Sequence, residues 1–206
     1  MKFDPSIVQT RFDSPLGPMI IAATDKGLAG LWFDGQRHLP PELLAPTLGT
    51  DVSSLPPGGA ALARGGPSRR AASPIAWPAA PDHPVLKEVI RQLTDYFAGK
   101  RTQFDVPLDL AYGTAFQQSV WQALLKIPQG GTASYSEVSA RIGKPAAVRA
   151  VGAAVGRNPV SIIVPCHRVM GAGGALTGYA GGLHRKSALL KLEGVELAGV
   201  KIEGAA

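Results

Sequence analysis

Between residues 56 and 74, fifteen of nineteen residues are Pro, Gly, Ala or Ser, and Leu62 is the one large apolar side chain. Such a segment cannot bury enough apolar surface to offset the entropy of ordering it, so it reads as a loop or insert. It splits the 206-residue chain, and each flank must supply its own core pattern. Before it, apolar runs over residues 7–12, 19–23 and 28–33 are separated by Pro15-Leu16-Gly17 and Asp25-Lys26-Gly27. Runs of that length between turn formers predict a β-meander. After it, Asp82 is expected to cap a helix with Pro84 in its first turn. Val85, Leu86, Val89, Ile90, Leu93 and Phe97 form its apolar stripe, and Gly99 ends it. Phe104, Val106, Leu108 and Leu110 alternate, which predicts a short strand before a boundary near residues 110–113.

The charge distribution changes at that boundary. Residues 1–112 hold eleven Lys/Arg and eleven Asp/Glu, whereas residues 113–194 hold nine Lys/Arg against Glu137 and Glu193 alone. A neutral half followed by a basic half points to a polyanionic partner, with a solvated basic face as the plainer reading of the same charge. A hydrophobic content of 45% supports a packed core. No apolar run approaches the ~18–20 residues of a membrane span, and the N-terminus lacks an apolar signal core, so a cytoplasmic protein is expected. One cysteine, Cys166, excludes an internal disulfide framework and a multi-cysteine zinc site.

The second half is mostly helical. Thr114 is expected to cap a helix carrying Phe116, Val120, Trp121, Leu124 and Leu125. Ser134-Tyr135-Ser136-Glu137 is a capping box opening a short helix that Gly143 closes, and Pro145 starts another reaching about Val155. Two short helices across a tight turn make a helix-turn-helix. In the second of them, Val148, Val151 and Val155 are read as facing inward, with Ala146, Ala150, Ala153, Ala154 and Arg157 on the opposite face. A helix reading base edges in a major groove would carry Arg, Asn or Gln there. A face of methyl groups allows close approach to a narrow minor groove, or equally to another helix.

Residues 158–169 read Asn-Pro-Val-Ser-Ile-Ile-Val-Pro-Cys-His-Arg-Val. Ile162-Ile163-Val164 is read as a short buried strand that Pro165 stops, so that Cys166 emerges at its end. With Pro165, His167 and Arg168 around it, Cys166 sits in electropositive surroundings that favour the nucleophilic thiolate. Consecutive side chains diverge, so a direct Cys166–His167 hydrogen bond is awkward. A bridging water could carry the proton, with the imidazole held from its other side by a carboxylate, either Glu137 or Glu193.

The run Pro165-Cys166-His167-Arg168-Val169, preceded by Asn158-Pro159, resembles the active-site signature of the O6-alkylguanine-DNA alkyltransferases. The likeness extends from about Phe116 to Gly194 and includes Gly178-Tyr179-Ala180-Gly181-Gly182. With the element pattern it implies an α+β fold: an N-terminal domain with an antiparallel sheet (residues 1–112, with a loop over about 50–81), a helical domain bearing the helix-turn-helix and active-site cysteine (113–194), and a tail (195–206). It implies irreversible, stoichiometric removal of alkyl groups from O6 of guanine, and by extension O4 of thymine, onto Cys166. By the same resemblance His167 is the water-bridged base, Glu193 orients it, and Asn158 braces the turn. Tyr135 abuts the target nucleotide, and Arg149 fills the stack vacated by the flipped base. The carbonyls of Cys166 and Val169 accept from guanine's exocyclic amine, and Tyr179, Ala180 and Pro165 line the alkyl pocket. The partner implied is double-stranded DNA met through the minor groove by Ala146, Ala150, Ala153, Ala154 and Arg157. No cofactor, metal or membrane is expected, and the chain is expected to act as a monomer.

Other readings differ in one feature each. A non-catalytic damage-recognition protein of the same fold would lack Cys166. A helix-turn-helix regulator would need a dimerisation element and base-reading side chains. A cysteine peptidase would draw its histidine from far along the chain.

Overall fold

The structure, a computed structural model, describes residues 3–43 and 77–197. The Pro/Gly/Ala-rich stretch of residues 56–74 and the end of the tail lie outside the described residues. Strands β1 (Val8–Ser14), β2 (Gly17–Thr24) and β3 (Gly27–Phe33) form the expected antiparallel meander. Gly27 must be glycine: its φ is +147°, and a Cβ there would lie 2.5 Å from the Pro107 carbonyl oxygen. A register shift between Ala22 and Ala23 lets Leu28 and Leu31, three apart, share one face. That face, with Met19, Ile21 and Phe33, packs against the helical side. Ile20, Ala22, Ala29 and Trp32 pack on the other with Ile7, Leu43 and Trp77. Covered on both faces, β3 is buried along its whole length.

The outer edge of β3 is also occupied, by two segments. Leu28 N–H donates to Pro107 O at 2.7 Å and Leu28 O accepts from Asp109 N–H at 2.9 Å. Residues 104–110 therefore make a single bridge, Leu28 to Leu108, in place of the expected strand. Pro107 has no N–H to continue the ladder. Three residues further along β3, Leu31 N–H donates to Pro159 O at 2.9 Å and Leu31 O accepts from Ser161 N–H at 2.8 Å. The sheet edge thus grips the segment that leads to Cys166.

Helix α1 (Pro84–Phe97) buries Leu86, Val89 and Leu93 as read, with Gln92 and Tyr96 added. Its cap position is His83 and not Asp82, because Pro84 with its fixed φ is the first helical residue. Asp82 lies in solvent, 3.7 Å from Lys87 Nζ. Helix α2 (Ala115–Leu124) opens on a capping box formed by Thr114 and Gln117. Leu125, expected on its apolar face, falls beyond its end and is exposed. Strand β4 (Ala133–Ser134) runs into α3 (Tyr135–Arg141) through the predicted capping box of Ser134 and Glu137. Gly143 (φ +70°) turns the chain, a 3-10 turn covers Pro145–Ala147, and α4 (Val148–Gly156) completes the helix-turn-helix. Strand β5 (Val169–Met170) pairs in parallel with β4, and α5 (Leu183–Leu192) ends at Gly194, φ +82°. One apolar cluster runs without a break from Met19 and Leu31 in the sheet through Trp121, Val151 and Val160 to Leu189. Among the described residues no helix is long and apolar enough to cross a membrane.

Candidate active site

Residues 158–164 are not a strand. They form a buried turn in which Ile162 takes φ +70°, and the segment hydrogen-bonds to the sheet at the Val160–Leu31 bridge. A β-branched residue in the left-handed region costs about 1–3 kcal/mol and persists only where its surroundings dictate it. Here Asn158 dictates it. Its Oδ1 accepts from Val160 N–H at 3.0 Å, and its Nδ2 faces Val160 O at 3.2 Å, Val164 O at 2.7 Å and Cys166 Sγ at 3.0 Å. Two N–H groups shared among three acceptors fold the turn around one amide and aim it at the sulfur. The apolar run 162–164 reflects burial, not extension.

Cys166 opens a 3-10 turn, Cys166–Arg168, and the three side chains diverge from it. His167 is fully buried, and its Nε2 lies 2.9 Å from Glu193 Oε1. Arg168 Nε donates to Glu193 Oε2 at 2.8 Å, its Nη2 to Oε1 at 2.9 Å, and its Nη1 to Ile127 O. Tyr96 Oη, from α1, donates to Glu193 Oε1 at 2.8 Å. Burial by itself would raise the Glu193 carboxyl, but hydrogen bonds from His167 and Arg168, with their charges, hold it down at about 2. Glu193 is therefore ionised, and Nε2 of His167 must carry the proton it shares with that carboxylate. The other ring nitrogen, Nδ1, is then an unprotonated acceptor, buried and without a partner among the described residues. Burial also lowers the His167 pKa against the pull of Glu193, so the imidazole is neutral at rest.

The thiolate expected for Cys166 is corrected, although a positive charge, that of Lys186, does act on it. Arg168 is committed to Glu193, and burial pushes the thiol up. The Asn158 amide, the Lys186 charge and backbone N–H groups oppose that shift without reversing it. At rest the sulfur is a neutral thiol that must be deprotonated on demand. Lys186 is a fully buried side chain whose Nζ donates to Val169 O at 2.5 Å and Thr177 O at 2.6 Å. Burial brings its pKa down to about 8, while Cys166 pulls it up.

Cys166 reaches the surface through a cavity of about 160 Å³ beneath the helix-turn-helix. Tyr135, Gly152, Val155, Gly156, Tyr179 and Ala180 line it, together with Arg37 and His38 from the loop after β3. Tyr135, Tyr179 and Ala180 thus gather around the sulfur as read. Pro165 does not. It lies before the 3-10 turn and lines a separate groove with Ile163 and Arg168. Val169 is buried behind the site, with its carbonyl already bound by Lys186. On α4 and the turn before it, Ala146, Arg149, Ala150 and Ala153 are exposed, and Arg157 caps the C-terminal end in solvent. Ala154 is buried at 3% exposure, three residues after the inward-facing Val151, and its carbonyl accepts from Trp121 Nε1 at 3.0 Å. The methyl-lined face therefore loses Ala154. Val148, read as inward, is only half-buried.

Sequence reasoning missed Tyr96, Lys186 and the Arg37–His38 pair. Tyr96 meets Glu193 across 97 positions of chain, a separation no local pattern encodes. Lys186 occupies a helix position that ordinarily faces water. The Phe33–Leu39 loop carried no motif.

A buried thiol at the floor of a cavity, flanked by a neutral imidazole on a buried carboxylate and roofed by a helix-turn-helix, defines a nucleophile built to meet a nucleic-acid group. Two family models together cover most of the chain. One is the "6-O-methylguanine DNA methyltransferase, ribonuclease-like domain" over residues 7–110, and the other the "6-O-methylguanine DNA methyltransferase, DNA binding domain" over residues 115–195. The methylated-DNA–protein-cysteine methyltransferase of Mycobacterium leprae is 43% identical over 181 residues, 88% of each chain. That of Methanosarcina acetivorans is 42% identical over 184 residues, 89% of this chain and 96% of its own. The crystal structure of Mycobacterium tuberculosis O6-methylguanine methyltransferase superposes with a TM-score of 0.68 at 42% identity, covering 91% of this chain and 92% of that one. A structure of the M. tuberculosis OGT in complex with DNA superposes with a TM-score of 0.67 at 43% identity, covering 89% and 90%. The chain belongs to the 6-O-methylguanine DNA methyltransferase family.

Proposed function

We propose the following route for the DNA-repair alkyl transfer that family membership assigns to this chain. The substrate is duplex DNA containing O6-alkylguanine, met through its minor groove by the exposed face of α4 that carries Ala146, Ala150 and Ala153. The damaged nucleotide leaves the stack, at a cost of a few kcal/mol, and enters the Cys166 cavity. Arg149, exposed in the first turn of α4, occupies the vacated position. Nδ1 of His167 takes the thiol proton, through a water between the two groups, and Glu193 stabilises the imidazolium that forms. Sγ then attacks the alkyl carbon in line. The S–C bond forms as the C–O6 bond breaks, and the bonding pair leaves on guanine, which ends with the proton the thiol gave up. Burial raises the Tyr135 phenol, so it stays neutral and able to donate to the departing base. Among the described residues no group around Cys166 is suited to cleave the thioether, and each chain acts once. The protein works as a single copy in the cytoplasm, on this reading.

One observation carries the route: Nε2 of His167 is committed to an ionised carboxylate, which leaves Nδ1 buried, unpartnered among the described residues and free to act as a base for the neighbouring Cys166 through a water. Intact-mass measurement after incubation with O6-methylguanine duplex tests it. One methyl mass should appear, mapped to Cys166 and absent in Cys166→Ser. Transfer continuing beyond one methyl per chain refutes the mechanism. Tight binding with no adduct would make the protein a non-catalytic recognition module.

A further inference from the structure

We propose that Arg37, in the loop after β3, binds a backbone phosphate flanking the damaged nucleotide, so that the N-terminal half of the chain helps hold the extrahelical base. This rests on the reading that the nucleotide enters the Cys166 cavity. Arg37 is the one lining residue of that cavity with a permanent charge. The others are aromatic or apolar side chains, glycines, Cys166 itself and His38. An O6-alkylguanine base is neutral. The charges of its nucleotide sit on the phosphates, which remain at the mouth when the base goes in. A guanidinium at the rim meets such a phosphate with two parallel N–H···O bonds, the geometry for which arginine is suited above lysine.

The loop is built to hold that side chain in place. Asp34 N–H donates to Pro18 O at 2.9 Å, the buried Gln36 accepts from Phe33 N–H at 2.9 Å, and Arg37 N–H donates to Ala180 O at 3.0 Å. The last of these joins the loop to the segment that forms the opposite cavity wall. Gly35 (φ +72°) and His38 (φ +60°) flank the position in the left-handed region, which a non-glycine residue such as His38 seldom enters. The backbone is pinned on both sides while the Arg37 side chain stays exposed, with no carboxylate within ion-pair distance among the described residues. Arginines continue the rim on either hand. Arg157 shares a neighbouring cavity with His38, and Arg185 shares one with Arg37.

The test uses the full chain as wild type, Arg37→Ala and Arg37→Lys. The substrates are O6-methylguanine duplexes in which each phosphate flanking the lesion is replaced in turn by a neutral methylphosphonate. On the natural duplex R37A should lose roughly tenfold in affinity, and the slope of log affinity against log salt should flatten by about 0.9, one phosphate contact. One methylphosphonate should cost the wild type as much, and combining it with R37A should cost no more than either change alone. R37K should recover part of the loss. Reaction with free O6-benzylguanine, which has no phosphate, should fall by less than reaction on the duplex does. An equal loss for R37A on the natural duplex and on every methylphosphonate duplex would overturn the proposal, as would a matching fall in the free-base rate. Wild-type methylation at Cys166 in the same samples would keep the transfer reading intact in either case. Its absence would remove that reading instead.

Discussion

Replacing Glu193 by Gln preserves shape and removes one negative charge from the point where four donors converge: Tyr96 Oη, His167 Nε2, and Nε and Nη2 of Arg168. An amide offers one acceptor oxygen and turns an N–H toward groups that also donate, so at least one of those donors loses its acceptor. Two independent routes give the size of the effect. The carboxyl is held at about 2 against an ordinary 4.5, a difference worth about 3 kcal/mol at neutral pH. Removing one partner of a buried ion pair typically costs ~3–5 kcal/mol, because the other charge is left unpaired in the interior. For a chain of this size each kcal/mol moves the midpoint by ~2–4 °C, so E193Q should melt roughly 6–20 °C below wild type. The sign with pH follows from the direction of the shift. A carboxyl whose folded pKa is depressed stabilises above its unfolded value near 4.5, and that contribution is lost as pH falls from there toward 2. Wild type should weaken steeply over that interval and E193Q much less. Urea denaturation across that interval and at neutral pH measures both. Arg168→Met added to E193Q should restore more than ~1 kcal/mol by removing the orphaned cation, yet alkyl transfer should stay slow because His167 still lacks its carboxylate. A loss under about 1 kcal/mol in E193Q, or an unchanged acid slope, would refute the view of Glu193 as a buried anion at the centre of the relay.

Asn158→Ala removes the amide that satisfies Val160 N–H and Val164 O and donates to Sγ, so stability should fall by about 2–4 kcal/mol by denaturant titration. The thiol pKa should rise, because a hydrogen bond to the thiolate is lost. Transfer to free O6-benzylguanine should therefore slow most at neutral pH and less as pH increases; a pH-independent loss would assign the defect to unfolding. Arg149→Ala should slow transfer within duplex DNA by roughly tenfold, about 1.4 kcal/mol of the flipping cost, and leave the free-base rate nearly unchanged. Equal losses on both substrates would mean that Arg149 shapes the fold, and no loss on either that it is a solvated arginine.

Local chemistry made much of this molecule legible. The meander follows from turn formers placed between apolar runs, and α2 and α3 begin where capping boxes put them. Ala154 was legible too: three residues beyond Val151 on a 3.6-residue period it belongs with the buried face, and counting alanines as one surface obscured that. The turn at 158–164 was not. An apolar run of that length reads alike as a strand or as a buried loop, and the choice depends on Asn158 bonding the carbonyl of Val164 and on β3 offering Leu31 at its edge.

The relay shows the same limit from the side of electrostatics. In sequence, Arg168 two residues from Cys166 reads as a charge that would favour the thiolate. In space Glu193 claims it with two hydrogen bonds, and burial of the sulfur outweighs the Lys186 charge that still favours the thiolate. A neutral thiol is the consistent outcome for a single-use nucleophile. A thiolate standing at the floor of a cavity would be open to any electrophile small enough to enter. On the proposed route, a thiol served by an unprotonated Nδ1 becomes reactive when a substrate holds an alkyl carbon in line with Sγ. Restraint and reactivity thus come from one arrangement. Arg168 and Tyr96 hold Glu193 in place, Glu193 keeps the proton on Nε2, and the Nδ1 left free is the base that the proposed route uses for Cys166.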